Sequence, residues 1–189
     1  MTIELDITQE LDRLAVEFID ACAEGDGSLP SAPFDADWDS LAIVGRAPDD
    51  HIYWRPTRRT EPFSMSGMST ALEATFPDAC EAYFGHFWSG SIPVIWGERP
   101  FELLQLWNAE DENNLMHNLL GHSLEKKRVR EPLTVFFALI DDARFLSVDV
   151  ASGAVLLEEV GGERPEEVAT DLAALLSSVT AVASTAVDE

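Results

Sequence analysis

Three apolar segments of strand length follow one another towards the C-terminal end of the chain, and they constrain the fold more than any other feature. They are TVFFALI (residues 134–140), RFLSVDV (144–150) and AVLLEEV (154–160). The turn-forming pairs Asp141-Asp142 and Ser152-Gly153 separate them. Strand-length apolar runs joined by such short turns are typical of antiparallel strands. The sequence therefore predicts a β-meander.

Two further pairs of strands are predicted upstream of the meander. LAIVG (41–45) and HIYW (51–54) flank a turn that contains Pro48, which indicates a hairpin. IPVIWG (92–97) and PFELLQLW (100–107) lie close together along the chain, as adjacent antiparallel strands do.

Four segments have apolar residues every three or four positions, the spacing of amphipathic helices. They run from Thr8 to Cys22, from Ser69 to about Phe87, from Asn108 to about Lys127, and from Arg164 or Pro165 to Val179. Pro77 is expected to kink the second helix. Asn108 is expected to cap the third, whose first turn holds Glu110, Asp111 and Glu112 beside the positive end of the helix dipole.

The order of these elements predicts an α+β fold, in which about four helices cover an antiparallel or mixed β-sheet. One domain over residues 1–189 is expected, because a core of this size can bury roughly 70% of the surface of the unfolded chain. A tail of small residues from about Thr180 is expected to fray.

The charge of the chain is strongly negative, with 35 acidic and 12 basic residues and a net charge of -23. Such a charge repels nucleic acid and anionic lipid, and it attracts basic polypeptide. Solubility alone, or a salty habitat, would also account for the acidity. Charge therefore excludes a nucleic acid partner and favours a basic one without identifying it.

The sequence predicts a cytoplasmic protein. Its first residues, MTIELDITQE, have neither the basic nor the apolar region of a signal peptide, and no apolar run approaches the ~20 residues that span a bilayer. Cys22 and Cys80 lie in helical patterns, where a cysteine is most often a small buried apolar residue rather than half of a disulfide.

A search for catalytic or cofactor motifs finds none, so we expect no cofactor, no metal and no small-molecule substrate. Phosphate-binding glycine loops, nucleophile elbows, CxxC pairs and HExxH helices are all missing. His117 and His122 are five residues apart on one helix, about 140° around it, and cannot share a metal. His51 and His86 are single histidines, which are more often packed or solvated than catalytic.

Six blocks of the sequence, taken in order, resemble the Syd family. They are IYWRP (52–56), YFGHFWSG (83–90), LLQLWNAED (103–111), NLLGHSLEKKR (118–128), PLTVFFA (132–138) and FLSVDVASGAV (145–155). The resemblance implies an α/β fold related to the SUKH superfamily, with an acidic concave surface. It also implies a non-enzymatic protein, peripheral on the cytoplasmic side of the bacterial inner membrane, that binds basic cytosolic loops of the SecY translocation channel and monitors its assembly.

The resemblance also implies residues that contact the partner. Glu73 in ALEA, and Glu110 with Asp111 in WNAED, fall where Syd sequences carry acids. Trp54 and Trp107 lie in matching blocks and are candidate anchors of the groove. For each acid a merely solvated position is an equal alternative, and strand tryptophans more often belong to the core.

Two segments depart from the family pattern. The acidic stretch from Gly25 to Asp39 aligns loosely, so its acids could reflect habitat rather than the groove. The basic cluster of Lys126, Lys127, Arg128 and Arg130 could meet lipid or complement its helix end.

Two other functions remain open from the sequence. One is a SUKH-type immunity or adaptor protein whose partner is a toxin domain. The other is a hydrolase that uses a pair of carboxylates, which would need two buried acids in a closed cleft.

Overall fold

The computed structural model describes residues 3–25, 27–162 and 164–184, with side chains from residue 6 onwards. The helices are α1 (Ile3–Gly25), α2 (Ser66–Leu72), α3 (Asp78–Phe84), α4 (Ala109–Val129) and α5 (Leu172–Ser178). The strands are β1 (Ser31–Pro33), β2 (Ile43–Ala47), β3 (His51–Trp54), β4 (Thr57–Arg58), β5 (Phe87–Trp88), β6 (Ile92–Trp96), β7 (Arg99–Leu103), β8 (Thr134–Leu139), β9 (Arg144–Asp149), β10 (Val155–Glu159), β11 (Glu166–Ala169) and β12 (Thr180–Ala181).

The main sheet has seven strands in the order β11-β10-β9-β8-β7-β6-β12, and every neighbouring pair is antiparallel. The predicted meander forms its centre: Val148 of β9 lies opposite Val135 of β8 and Val155 of β10. All three side chains are at most 1% exposed, so the cross-strand pairing also builds the core. The α+β fold predicted from the sequence is confirmed.

Both predicted strand pairs are also present. β6 pairs with β7 in the main sheet, although β7 ends at Leu103 rather than at Trp107. β2 and β3 form the predicted hairpin, and Asp49 and Asp50 turn the chain with φ of 55° and 58°. Aspartate tolerates these left-handed conformations better than most residues, because its short side chain bonds locally. This hairpin belongs to a separate sheet of order β1-β3-β2.

One hydrophobic cluster joins the helices to the main sheet. The apolar stripe predicted for the first helix is buried: Ile7, Leu11, Leu14 and Phe18 are all at most 2% exposed. The helix itself extends beyond the predicted ends, from Ile3 to Gly25, and Cys22 and Cys80 are both buried as expected.

One helix prediction was wrong in its interior. The second predicted helix is two helices, α2 and α3, because Glu73 ends α2 in a left-handed conformation and Pro77 stands at the N-cap of α3. A proline disfavours helical backbone in the residue before it, so the pattern is interrupted rather than kinked. The described chain therefore holds five helices where about four were expected.

The C-terminal helix begins later than predicted, at Leu172 after the N-cap Asp171. Residues 166–169 form β11 instead, because the outer edge of β10 needs hydrogen-bond partners and this segment supplies them. Thr180 and Ala181, at the start of the tail that is expected to fray, pair with β6 as β12. Residues 185–189 of the expected tail lie outside the described residues.

Candidate partner-binding cleft

The N-terminal end of α4 is held by two side-chain caps, of which the sequence predicted the one by Asn108. Asn108 is the N-cap, and its Oδ1 accepts a hydrogen bond from the backbone N–H of Asp111 at 2.9 Å. Asp111 reciprocates, since its Oδ2 accepts from the backbone N–H of Trp107 at 2.9 Å. The Asp111 carboxylate is thus fixed in place by the helix end that it caps.

The acidic loop of residues 35–40 is fastened to this helix end. The indole Nε1 of Trp107 donates to the carbonyl of Trp38 at 3.0 Å, and Asn108 Nδ2 donates to the carbonyl of Asp39 at 2.8 Å. Ser40 Oγ also donates to the Trp107 carbonyl. Part of the acidic stretch that aligns loosely with the family therefore lies against the block LLQLWNAED (103–111).

A cavity of about 400 Å³ opens between this loop, α4 and the neighbouring strands. We call it the tryptophan cleft. Its lining residues are Ser31, Ala32, Pro33, Asp35, Trp38, Ile52, Trp54, Ser89, Gly90, Ser91, Gln105, Trp107 and Asp111. Three of the five predicted contact residues, Trp54, Trp107 and Asp111, line this one cavity.

Trp54 and Trp107 form the apolar wall of the cleft. Their rings meet edge to face, with centroids 5.9 Å apart, and Trp54 also contacts Phe18 of the core. Trp54 is only 6% exposed, so it belongs to the core as well as to the cleft, whereas Trp107 is partly buried. Trp54 therefore belongs to the core and lines the cleft at once, and a role of either tryptophan as an anchor for a partner stays a prediction.

Glycine at position 90 is required by the placement of the Trp54 ring. A Cβ at this position would lie 2.8 Å from Cζ2 of Trp54 and 3.0 Å from its Cη2. Real Cβ atoms do not approach ring carbons that closely, so only glycine lets the Ser89–Ser91 segment pass over the indole.

The electrostatics of the cleft are uniformly negative. Asp35 and Asp111 are the charged lining residues, and the exposed carboxylates of Asp37, Asp39 and Glu110 stand on the same loop and helix end. Within the described residues, no ion pair involves any of these five acids. No basic side chain of the described residues neutralises these carboxylates, and together they attract a cation from outside.

Glu73 does not lie with the other predicted contact residues. Lys127, near the far end of α4, donates from Nζ to the carbonyl of Leu72 at 2.7 Å, which places Glu73 near that end. Seventeen residues separate Glu110 from Lys127, or roughly 25 Å of helix at 1.5 Å per residue. The predicted acids therefore occupy two separate places.

Sequence reasoning missed several residues of the cleft, above all Trp38, Asp35 and Gln105. Gln105 is 8% exposed, and its Oε1 has no hydrogen-bond partner among the described groups. A tryptophan inside an acidic loop, in the stretch DADWD, was the available signal, because a large aromatic residue is unusual in a solvated loop.

The basic cluster at the other end of α4 is mostly engaged within the protein. Lys126 is 5% exposed and donates to Glu158 at 2.5 Å and to Glu131 at 3.4 Å. Arg128 pairs with Glu125, and Lys127 caps α2 as described above. Burial raises the pKa of Glu158, but hydrogen bonds from Lys126, Ser147 and Thr134 outweigh it and lower that pKa overall.

His86 and His122 each make a hydrogen bond to another side chain of the protein. His86 is buried and bonds to Asp12 at 2.9 Å, and His122 bonds to Thr134 Oγ1 at 2.8 Å. Burial lowers the pKa of both imidazoles. Among the residues that the structure describes, no group of three or more His, Cys, Asp or Glu side chains is arranged to hold a metal ion. In the same part of the chain, no helix is both long enough and apolar enough to cross a membrane.

Comparison with known proteins gives a consistent result. A family model described as "Syd protein (SUKH-2)" matches residues 8–181, a range that includes every residue lining the tryptophan cleft. The chain is 33% identical over 177 residues to Protein Syd of Pseudoalteromonas atlantica, across 92% of this chain and 95% of that protein. It is 36% identical over 135 residues to Protein Syd of Tolumonas auensis, across 71% and 70%. It is 31% identical over 181 residues to Protein Syd of Hahella chejuensis, across 90% and 92%.

Proposed function

The chain belongs to the Syd family, and from this premise we propose that it binds basic cytosolic loops of the SecY translocation channel through the tryptophan cleft. In this function it is a non-enzymatic regulator that monitors the assembly of the channel. It works on the cytoplasmic side of the bacterial inner membrane and is held there by SecY rather than by lipid.

The observation that carries the proposal is that tryptophan rings line the same cavity as carboxylates that form no ion pair within the described residues. Exposed ion pairs contribute only ~0 to 1 kcal/mol each, so acids alone would give weak and unselective binding. A Lys or Arg side chain over a tryptophan face gains about 0.5 to 2 kcal/mol more, depending on how far it is desolvated. Asp35 and Asp111 beside Trp54 and Trp107 offer both contributions at once.

Long-range attraction supports the same partner. The net charge of -23 speeds the approach of a basic loop, while the shape of the cleft and the few desolvated contacts select it. Binding by this mechanism must weaken as salt rises, because exposed charges are screened over about 10 Å at 0.1 M ionic strength.

The test is binding of the purified protein to detergent-solubilised translocon at two salt concentrations. The variant pair Asp37→Lys and Glu110→Lys together changes the charge at the cleft by +4, and neither side chain has a hydrogen bond within the described residues. The matched control, Glu98→Lys with Glu167→Lys, changes the net charge equally at the β6–β7 turn and on the edge strand β11.

We expect salt-sensitive binding that the cleft variant weakens at least tenfold and that the control weakens much less. Equal losses in both variants would mean that net charge, and not the cleft, drives association. Absence of translocon binding even at low salt would remove the proposal.

The SUKH-2 label of the matching family keeps a second candidate open, a SUKH-type immunity or adaptor protein that binds a toxin domain. It uses the same cleft with a different basic partner. A toxin gene beside the gene for this protein, together with failure to bind the translocon, would favour it. Glu73 stays a prediction in either case, and its distance from the cleft makes it a separate contact.

A further inference from the structure

A second cavity of about 490 Å³, which we call the apolar cavity, adjoins the tryptophan cleft. The two cavities share three lining residues, Ser31, Trp54 and Ser91. The remaining lining residues of the apolar cavity are Phe18, Cys22, Gly25, Leu29, Pro30, Pro93 and Ala183. No charged side chain is among them. We call the two adjoining cavities together the groove, which is acidic and aromatic at one end and apolar at the other, with Trp54 between its halves.

One wall of this groove is the open edge of a β-sheet. β1 is the outer strand of the three-stranded sheet and pairs only with β3 there. The carbonyl of Pro30 accepts from Trp54 N–H at 3.0 Å, and Phe34 N–H donates to the carbonyl of Asp50 at 2.8 Å. Backbone groups of alternate residues in a strand point in opposite directions, so those of Ser31 and Pro33 point away from β3.

The residue types of β1 agree with its position at an open sheet edge. Ser31 and Pro33 are exposed, and Ala32 between them is partly buried. Proline lacks an N–H and is tolerated in strands where that group would face outwards. The groove is therefore bordered by a backbone edge that offers one donor, Ser31 N–H, and two acceptors, the carbonyls of Ser31 and Pro33.

This inference rests on the proposed function: we propose that the partner segment binds in extended form along β1. It places a Lys or Arg side chain in the tryptophan cleft and an apolar side chain, two residues away, in the apolar cavity. Strand addition to a sheet edge gives affinity through main-chain bonds and selectivity through pockets for alternate side chains.

The spacing follows from strand geometry. Side chains at positions i and i+2 point to the same face and stand about 6.6 Å apart, while neighbouring residues point to opposite faces. Two side chains that reach down on either side of the single Trp54 ring must therefore be separated by one residue. The segment recognised is basic-x-apolar or apolar-x-basic, according to whether it runs antiparallel or parallel to β1.

Capped synthetic peptides test the spacing directly. Four peptides of equal length and charge contain Arg-Thr-Leu, Leu-Thr-Arg, Arg-Thr-Ser or Arg-Leu-Thr in a Gly/Ser background. Calorimetry or tryptophan fluorescence measures their affinity for the full chain. We expect one of the first two to bind at least about tenfold more tightly than both the peptide without leucine and the peptide with adjacent arginine and leucine. Equal affinities across the four would overturn the proposal.

Two variants of the protein test the edge and the apolar cavity separately. Ser31→Pro removes the outward N–H but none of the bonds to β3, and Ser31→Ala is its matched control. Leu29→Ser, in the loop before β1, makes the apolar cavity polar. We expect Ser31→Pro to weaken every peptide relative to Ser31→Ala, and Leu29→Ser to weaken only the leucine peptide of correct spacing.

Failure of this inference is distinguishable from failure of the proposed function. If Asp37→Lys with Glu110→Lys weakens translocon binding while Ser31→Pro and Leu29→Ser leave it unchanged, the acidic site stands and the strand-addition model is wrong. If these two variants weaken translocon binding as they weaken the peptides, the groove recognises an extended segment in its natural partner as well.

Discussion

The two ends of α4 handle charge in opposite ways. At its N-terminal end, Glu110 and the loop acids Asp35 and Asp37 stand in solvent without a basic partner among the described residues. At its C-terminal end, Lys126 and Glu158 are buried together, each side chain 7% exposed. Desolvated charges must be paired, whereas solvated ones need no partner.

This difference separates residues that maintain the fold from residues available for binding. The buried charges of Lys126 and Glu158 are committed to one another, and neither can be removed singly without loss of stability. Charges at the cleft can be changed at little cost to the fold, and their field reaches a partner. Substitutions at the two ends should therefore affect different measurements.

The largest expected effect on the free energy of unfolding is at the buried pair of Lys126 and Glu158. Lys126→Met leaves Glu158 buried without its cation and should lower the free energy of unfolding by about 3–5 kcal/mol. Urea unfolding followed by circular dichroism measures it. The double variant Lys126→Met with Glu158→Gln should recover much of the loss. If it does not, packing rather than the unpaired charge is responsible.

The next largest effect is expected inside the cleft. Gly90→Ala forces a Cβ against Trp54 and should lower the free energy of unfolding by about 1–3 kcal/mol while altering tryptophan fluorescence. Gly121→Ala is the control, since a Cβ at position 121 in α4 meets nothing within 4 Å. That change should raise stability by roughly 0.5–1 kcal/mol. The same sign for both would contradict the steric account of Gly90.

Asp111 both caps the N-terminal end of α4 and contributes negative charge to the cleft, and two variants separate these roles. Asp111→Ala removes the acceptor for Trp107 N–H and should cost about 1 kcal/mol of stability. Asp111→Asn keeps an acceptor oxygen and should leave stability nearly unchanged. It should nevertheless weaken binding of the basic partner, because the negative charge is lost. Thermal unfolding and translocon binding, measured on both variants, give the comparison. Equal unfolding temperatures for the two variants would argue against the cap.

A smaller effect is expected from pH. Burial lowers the pKa of His86 and His122 below the usual 6.5, so the unfolded chain binds more protons than the folded one in that range. Stability should therefore fall as pH drops below about 6.5 and stay flat just above it. His122→Gln should reduce the slope of the unfolding free energy between pH 6.5 and 5. An unchanged slope would mean that His122 is not a source of this acid sensitivity.

The smallest effect is expected at an exposed ion pair on the same helix. Glu125 and Arg128 are 60% and 70% exposed in their side chains, and hydrogen bonding to Arg128 lowers the pKa of Glu125. Glu125→Gln should nevertheless leave the unfolding midpoint unchanged, because surface pairs are screened by water and salt. A loss comparable with that of Lys126→Met would break the distinction between the two kinds of charge.

Local sequence signals determined most of the secondary structure. The meander, both strand pairs, the stripe of the first helix and the Asn108 cap depend on periodicity, turn residues and short-range hydrogen bonds, which the sequence displays directly. The predictions that were wrong depended on neighbours in space: residues 166–169 became a strand because β10 had an open edge. The helical spacing of apolar residues in so short a segment is a weak preference, and pairing with β10 outweighs it.

The family motifs identified Trp54, Trp107 and Asp111 one by one, but only the tertiary structure put them into one cavity and placed Glu73 elsewhere. It also brought in Trp38 and Asp35 from a loop more than sixty residues away in sequence, through the hydrogen bond from Trp107 to Trp38. A binding surface depends on which distant segments pack against each other. The sequence specifies that packing only through the sum of many weak contacts, so no single motif reveals it.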